Sequence, residues 1–155
     1  MPFTQPSSHH NGPEAAFPFY CVTPVQIRFN DIDALGHVNN TVYLEFFDLG
    51  KTDYFTRVGE GPNGWGNTPV IIASVHCNFL QQTHFEEPVE VRTQVSRVGD
   101  KSLTLVQQLA VRGSQQVKCE CTSVMVYRDL QTGEPAPVPA EWRERISAFE
   151  KREVG

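Results

Sequence analysis

The sequence predicts an α+β domain in which one long, mostly apolar helix lies against a curved antiparallel sheet of five strands. Three observations carry this. A strand-like alternation at residues 23–29 is followed by a single helical stretch opening at Asn39 or Asn40, and then by four strand-like runs in succession. Short turn sequences of the hairpin kind join the later runs, without the regular β-α alternation of a doubly wound fold. At 155 residues the chain suits one domain, which buries roughly two thirds of its unfolded surface and needs no covalent staples.

Residues 1–20, with "SSHHNGPE" among them, carry little apolar pattern and are expected to form a flexible tail; residues 21–155 are expected to be one domain. His9 and His10 are too few for a metal site. In the first strand Val25, Ile27 and Phe29 alternate with Gln26 and Arg28, the pattern of a half-buried strand. "NDIDALGH" breaks it as a loop. An asparagine at 39 or 40 then caps a helix whose Tyr43, Phe46, Phe47, Gly50 and Tyr54 recur at spacings of three and four. Val42, Leu44, Leu49 and Phe55 widen that stripe, so the helix should be enclosed over most of its circumference, with Thr41, Glu45, Asp48 and Thr52 as its least apolar strip. "GEGPNGWGNTP" closes the helix.

Strands are expected at 70–80, 89–98, 102–112 and 116–127, with "VGDK" and "RGSQ" as hairpin connections. "RDLQTGEPAPVP" supplies a turn and prolines before a short polar helix at about 140–149. A sheet curled round the helix should turn Val25, Ile27 and Phe29, with Ile71, Ala73, Val75, Cys77 and Phe79, toward it; Ser74, His76 and Asn78 would then occupy the other face.

Composition narrows the function classes. Thirteen basic against 18 acidic side chains give a formal charge of -5, an average field that repels a long phosphate backbone while leaving room for a local basic patch. No apolar run approaches a membrane span and no secretory pattern opens the chain, so a cytoplasmic location is expected. Cys21, Cys77, Cys119 and Cys121 lack zinc spacing; they read as buried free thiols, with Cys119 and Cys121 on one face of a strand.

The chemistry is concentrated at the start of the helix. Arg28, Asp31, Asp33, Gly36, His37, Val38, Asn39, Asn40 and Tyr43 form the string R-x-x-D-x-D-x-x-G-H-V-N-N-x-x-Y. It resembles the opening of the hot-dog-fold acyl-CoA thioesterases of the 4-hydroxybenzoyl-CoA thioesterase-like group. "VHCNFLQQTHFEEPVEV", "VGDKSLTL" and "VMVYRDLQTGEPAPVP" are similar to later parts of that group, so the resemblance runs from about Val22 to Pro139. It implies a hot-dog fold, thioester hydrolysis, and a catalytic carboxylate that falls on Asp33. It requires no cofactor, coenzyme A being part of substrate and product.

A physical argument supports the same place. Attack on a thioester carbonyl puts negative charge on its oxygen, and the first turn of a helix offers free N–H groups at the positive end of its dipole. Amides between Val38 and Thr41 are positioned for this, Asn40 above all. Asp33 would serve as general base toward water or attack directly to give a mixed anhydride, the alternative being an Asx-turn carboxylate. His37 orients water or the acyl group, or fixes the loop. Asp31 reads as a turn former or partner of Arg28, Glu45 as a solvated carboxylate or a partner across the subunit interface with an understudy catalytic role as the alternative, Tyr43 as core or pocket wall, and Asn39 and Asn40 first as caps and second as contacts to substrate or water.

Arg97, Lys101 and Ser102 cluster with the amides of "VGDK" and are the candidate coenzyme A contacts, Arg92, Arg112 and Lys118 lying on nearby strands. By resemblance two subunits pair edge to edge into a ten-stranded sheet with active sites at their junction, and such dimers often form tetramers. The rival readings are a carrier-protein thioesterase, a hydratase or dehydratase using Asp33 with His37, and a non-catalytic acyl-CoA binding module. A metal site on Asp31, Asp33 and His37 lacks a completing shell.

Overall fold

A computed structural model describes residues 17–59 and 69–155. In chain order these form β1 (Cys21–Val25), α1 (Asn40–Val58), β2 (Val70–Phe79), β3 (Val89–Val98), β4 (Ser102–Val111), β5 (Val117–Tyr127) and α2 (Ala140–Glu150). The strands make one antiparallel sheet in the order β1-β3-β4-β5-β2. The expected loose tail lies outside the described residues up to residue 16, as does most of "GEGPNGWGNTP". Residues just before β1 are held: Phe17 O accepts from Gln94 Nε2 at 3.1 Å, and Arg152 lies over the Phe17 ring.

Helix α1 is capped as the sequence predicts. Asn39 Oδ1 accepts from the Thr41 N–H at 3.0 Å and from Thr41 Oγ1 at 2.7 Å. Its nineteen residues span about 28 Å. Val42, Tyr43, Phe46, Phe47, Gly50, Tyr54, Phe55 and Val58 are buried against the sheet, each large side chain worth roughly 1.5–3 kcal/mol of transfer free energy. Gly50 permits the close approach at mid-helix: a Cβ there would fall inside contact distance of Val91 Cγ1 and 2.8 Å from Thr93 Oγ1. Thr41, Glu45, Asp48 and Thr52 are exposed as expected, but Leu44 and Leu49 are exposed too, so the helix is open along one side rather than enclosed.

Two apolar clusters fill the core. Val38, Val42, Tyr43, Phe46 and Phe47 pack with Val89, Val91, Leu109, Cys119 and Cys121 beneath the start of α1; Tyr54, Phe55 and Val58 pack with Val95, Leu103, Leu105, Met125 and Ile146 beneath its end. Between them lies a polar seam, where Gln107 Nε2 donates to Phe47 O at 2.9 Å and to Thr93 Oγ1 at 3.0 Å.

Two expectations about faces are corrected. The first strand stops at Val25 instead of reaching Phe29, because the chain turns into a 3-10 turn over Phe29–Asp31; Phe29 points to solvent at 84% exposure rather than toward the helix. In β2 a bulge at Ala73 breaks the alternation, so Ile72, not Ile71, stands opposite the buried Met125. Beyond the bulge Val75, Cys77 and Phe79 do oppose the inward Ser123, Cys121 and Cys119.

One sheet edge is closed by the chain itself. The short β1, whose Pro24 is tolerated only because the strand is an edge, pairs with β3 from Thr93 to Val89. Beyond Thr93 the C-terminal segment takes over. Glu150 Oε1 accepts from Val95 N–H at 2.9 Å, Arg152 Nη2 donates to Val95 O at 2.8 Å, and Val98 N–H donates to Val154 O at 2.8 Å. The other edge, β2, pairs only with β5 among the described residues.

Candidate active site

The loop between β1 and α1 is fixed by an ion pair between the exposed Arg28 and the buried Asp31. Asp31, 2% exposed, accepts from Arg28 N–H at 2.7 Å and from the Arg28 guanidinium at 2.8 Å; the same guanidinium reaches Glu45 Oε2 at 2.8 Å. Burial works to raise the Asp31 carboxyl, but its bonds to Arg28 outweigh that and hold it below the ordinary aspartate range. Asp31 is thus a structural charge partner, as the sequence suggests, and Glu45 is bound to the same arginine on the exposed strip.

Asp33 follows on this frame. Its Oδ1 accepts from Leu35 N–H at 2.9 Å, an Asx-turn, and its Oδ2 accepts from Asn39 Nδ2 at 3.2 Å. Gly36 closes the turn at φ 85°, a conformation that suits glycine. Asp33 N–H donates to His37 O at 3.2 Å, and Val38 N–H donates to Thr83 O at 2.8 Å, pinning the loop to the β2–β3 connection. Tyr43 OH and Thr83 Oγ1, 2.8 Å apart, tie the helix to the same connection.

In the first turn of α1 the Thr41 N–H is taken by Asn39 Oδ1 and the Val42 N–H by Asn39 O, leaving the Asn40 N–H without a partner among the described residues. His37, Asn40 and Tyr43 line a cavity of about 170 Å³ with Phe79, Leu80, Gln81 and Gln82. Asp33 does not line it; the carboxylate connects to it through Asn39, the neighbour of Asn40. A second cavity, about 440 Å³, opens between α1 and β2 and is lined by Val70, Ile71, Ile72 and Met125 with the Lys51–Asp48 pair. Lys51 is 5% exposed and sits 2.7 Å from Asp48 Oδ1. A larger groove, about 590 Å³, on α2 contains no group of the Asp33 loop.

His37 and Asn40 line one cavity and Asp33 joins them through Asn39 from outside it, whereas Arg97, Lys101 and Ser102 lie elsewhere. The latter stand at the β3–β4 hairpin, and the seven steps along β4 from Ser102 to Leu109, which packs beneath the start of α1, span about 24 Å. Arg92 is paired with Glu90 and Lys118 with Glu87, so neither is a free cation. The cysteines are free thiols, three buried and Cys77 half-buried. Burial pushes Cys21 up to about 11 and raises Cys119 and Cys121 further. Among the described residues no three His, Cys, Asp or Glu side chains converge on a metal-sized site.

Residues 27–146 match the thioesterase-like superfamily. The chain belongs to that superfamily. A thioesterase from Thermus thermophilus, solved with coenzyme A and zinc, is 31% identical at a TM-score of 0.77 over 86% of this chain and 96% of that one. The long-chain acyl-CoA thioesterase FadM of Escherichia coli is 23% identical over 132 residues, 83% of this chain and 98% of FadM. YsmA of Bacillus subtilis, an uncharacterised protein, is 29% identical over 92 residues, and this match spans 60% of its length. The protein is a thioester hydrolase on the hot-dog fold. Among the described residues no helix is long and apolar enough to cross a membrane.

Sequence reasoning missed two side chains that shape this candidate site. Asn39 was legible as a cap but not as a donor to Asp33, since nothing local says where its second amide atom points. Thr83 is far away in sequence, and only its position after β2 sets it beneath Tyr43.

Proposed function

We propose that this thioesterase hydrolyses acyl-CoA, with Asp33 as general base or nucleophile, the Asn40 N–H as oxyanion donor and His37 orienting water or the acyl group. One observation carries the reading: the Asp33 carboxylate is tied through Asn39 to the helix end where the Asn40 N–H is unpaired among the described residues. Anion and oxyanion donor therefore share one rigid corner beside a cavity. As base, Asp33 takes a proton from water while the oxygen of that water bonds to the carbonyl carbon. The carbonyl oxygen, now negative, is stabilised by the Asn40 amide and the dipole of α1. Collapse of the tetrahedral intermediate breaks the C–S bond, and the departing thiolate takes up the proton.

The candidate coenzyme A contacts fit a two-subunit site. Strand β2 starts near Lys101, whose carbonyl accepts from Tyr127 N–H at 2.9 Å beside Val70, and ends with Phe79 at the cavity. Two copies paired antiparallel along β2 would set the Val70 end of one against the Phe79 end of the other. Arg97, Lys101 and Ser102 of one protomer then approach Asp33 of its partner, where an anionic nucleotide fits them. Coenzyme A bound to the Thermus relative and the acyl-CoA activity named for FadM support this substrate class.

Free-thiol release from a panel of short, medium, long and aromatic acyl-CoAs, with carrier-protein thioesters alongside, is the test. Turnover of at least one acyl-CoA is expected, and Asp33→Asn should lower kcat by about 10²- to 10⁴-fold while the fold persists. Full activity in Asp33→Asn together with its loss in Glu45→Gln would move the carboxylate role to Glu45.

A further inference from the structure

We infer that Asn39 is a positioning residue for the reaction: one side-chain amide both caps α1 and aims the Asp33 carboxylate at the helix end. The inference rests on the reading of Asp33 as the reacting carboxylate.

The orientation of the Asn39 amide follows from the chemistry of its neighbours. The Thr41 N–H can only donate, so the atom 3.0 Å from it must be the amide oxygen. The NH₂ group is therefore the one that faces Asp33 Oδ2, 3.2 Å away, and a carboxylate is the acceptor it requires. Thr41 adds a second bond to the same oxygen through Oγ1 at 2.7 Å, so rotating the amide would break three contacts at once.

The backbone of Asn39 is held just as firmly. Its N–H donates to Asp31 O at 2.9 Å, and Asp31 is locked by Arg28, which also grips Glu45 one turn into α1. The loop carrying the carboxylate and the helix carrying the amide are thus joined twice, by Arg28 at the surface and by Asn39 inside. Asp33 Oδ1 is occupied by Leu35 N–H, so the bond from Asn39 to Oδ2 sets the remaining rotation of the carboxylate.

The cap and the aiming role separate by substitution. Asn39→Ser and Asn39→Asp both keep an acceptor for the Thr41 N–H, and serine, aspartate and asparagine are near-equal caps, so the cap survives in both and the thermal midpoint of Asn39→Ser should hold. Neither can donate an amide hydrogen to Asp33. Asn39→Ser should lower kcat about 10- to 100-fold with KM within about twofold, as expected when a reacting group is misplaced by about an ångström. Asn39→Asp sets a second negative charge against Asp33 and should move the acid limb of the kcat profile to higher pH. The other charged or titratable neighbours, Arg28, Asp31, His37 and Glu45, are unchanged among these variants, so the shift reports on position 39 alone. A residue that merely capped the helix would leave the kcat of Asn39→Ser in place. Full kcat in Asn39→Ser beside an inactive Asp33→Asn overturns this inference alone; full activity in Asp33→Asn overturns the reading beneath it and the inference with it.

Discussion

Glu150, in what the sequence presents as a short polar helix, is predicted to be among the most costly side chains to remove. It is buried, and its Oε1 accepts from Tyr54 OH at 2.6 Å and from Val95 N–H at 2.9 Å. Val95 borders the β3 bulge, where no neighbouring strand among the described residues continues the ladder beyond β1, so Glu150 replaces the missing strand acceptor. Glu150→Ala leaves two fully buried donors unpaired. At about 1–3 kcal/mol each, the loss is about 2–6 kcal/mol against a usual total of about 5–15 kcal/mol. Glu150→Gln retains Oε1 for both donors and removes a buried charge, so it should cost less than half as much. Urea titration of the three proteins reads this as a fall in midpoint at constant slope. Burial raises the Glu150 carboxyl above the ordinary glutamate range, although Tyr54, Val95 N–H and Arg152 pull it back. A folded value above the unfolded one means that the native state binds the extra proton. The contribution is full at low pH and is lost as pH rises through the raised value. Glu150→Gln should therefore be flatter with pH than the wild type across that window. A Glu150→Gln protein as unstable as Glu150→Ala would refute the reasoning, since charge and not acceptor geometry would then be what β3 requires.

Two further outcomes follow from the packing. Gly50→Ala, which gains about 1 kcal/mol of helix propensity, should still be destabilised, because the new methyl meets Val91, Thr93 and Gln107 on the rigid sheet and overpacking costs about 1–3 kcal/mol; a higher urea midpoint than wild type would contradict this. Val75→Lys puts an inward-pointing charge on the open β2 edge and should give monomers by light scattering, with turnover falling more than about tenfold because the proposed nucleotide contacts come from the other subunit. A monomeric variant of full activity would remove the two-subunit site.

Much of this fold is legible in the sequence because its signals are periodic and local. Asn39 caps α1 where an asparagine was expected, β3 runs over the residues anticipated for it, and β4, β5 and α2 end within a residue or so of theirs. What could not be read depends on distant partners. The bulge at Ala73 interrupts an alternation that continues unbroken in the residue pattern, so Ile71 and Ile72 exchange faces without any local mark. Phe29 looks like a core residue in a strand, yet the Arg28–Asp31 pair bends the backbone before that strand can include it. His37 and Asn40 share a cavity beside the Asp33 loop because one short loop and one helix start fix their spacing. Their distance from Arg97, Lys101 and Ser102 is a matter of strand register, which short-range chemistry does not encode.

The two sheet edges explain why site and assembly should be coupled. An edge strand presents unpaired backbone groups, and a protein must cover or blunt them. On the β3 side the chain does both, with the proline-bearing β1 and then the Glu150–Val154 segment. On the β2 side it does neither among the described residues: Ile71, Ile72, Val75 and Phe79 are exposed, and Leu44 and Leu49 of α1 are exposed as well. Phe79 also lines the cavity beside Asn40. A second copy that covered this edge would thus exclude water from the apolar strip and from one wall of the cavity in the same step. Removing water there strengthens the pull of the Asn40 amide on a developing oxyanion, because the effective dielectric falls. Activity and association should therefore rise together with protein concentration, and specific activity that stays constant on dilution through the monomer range would rule this coupling out.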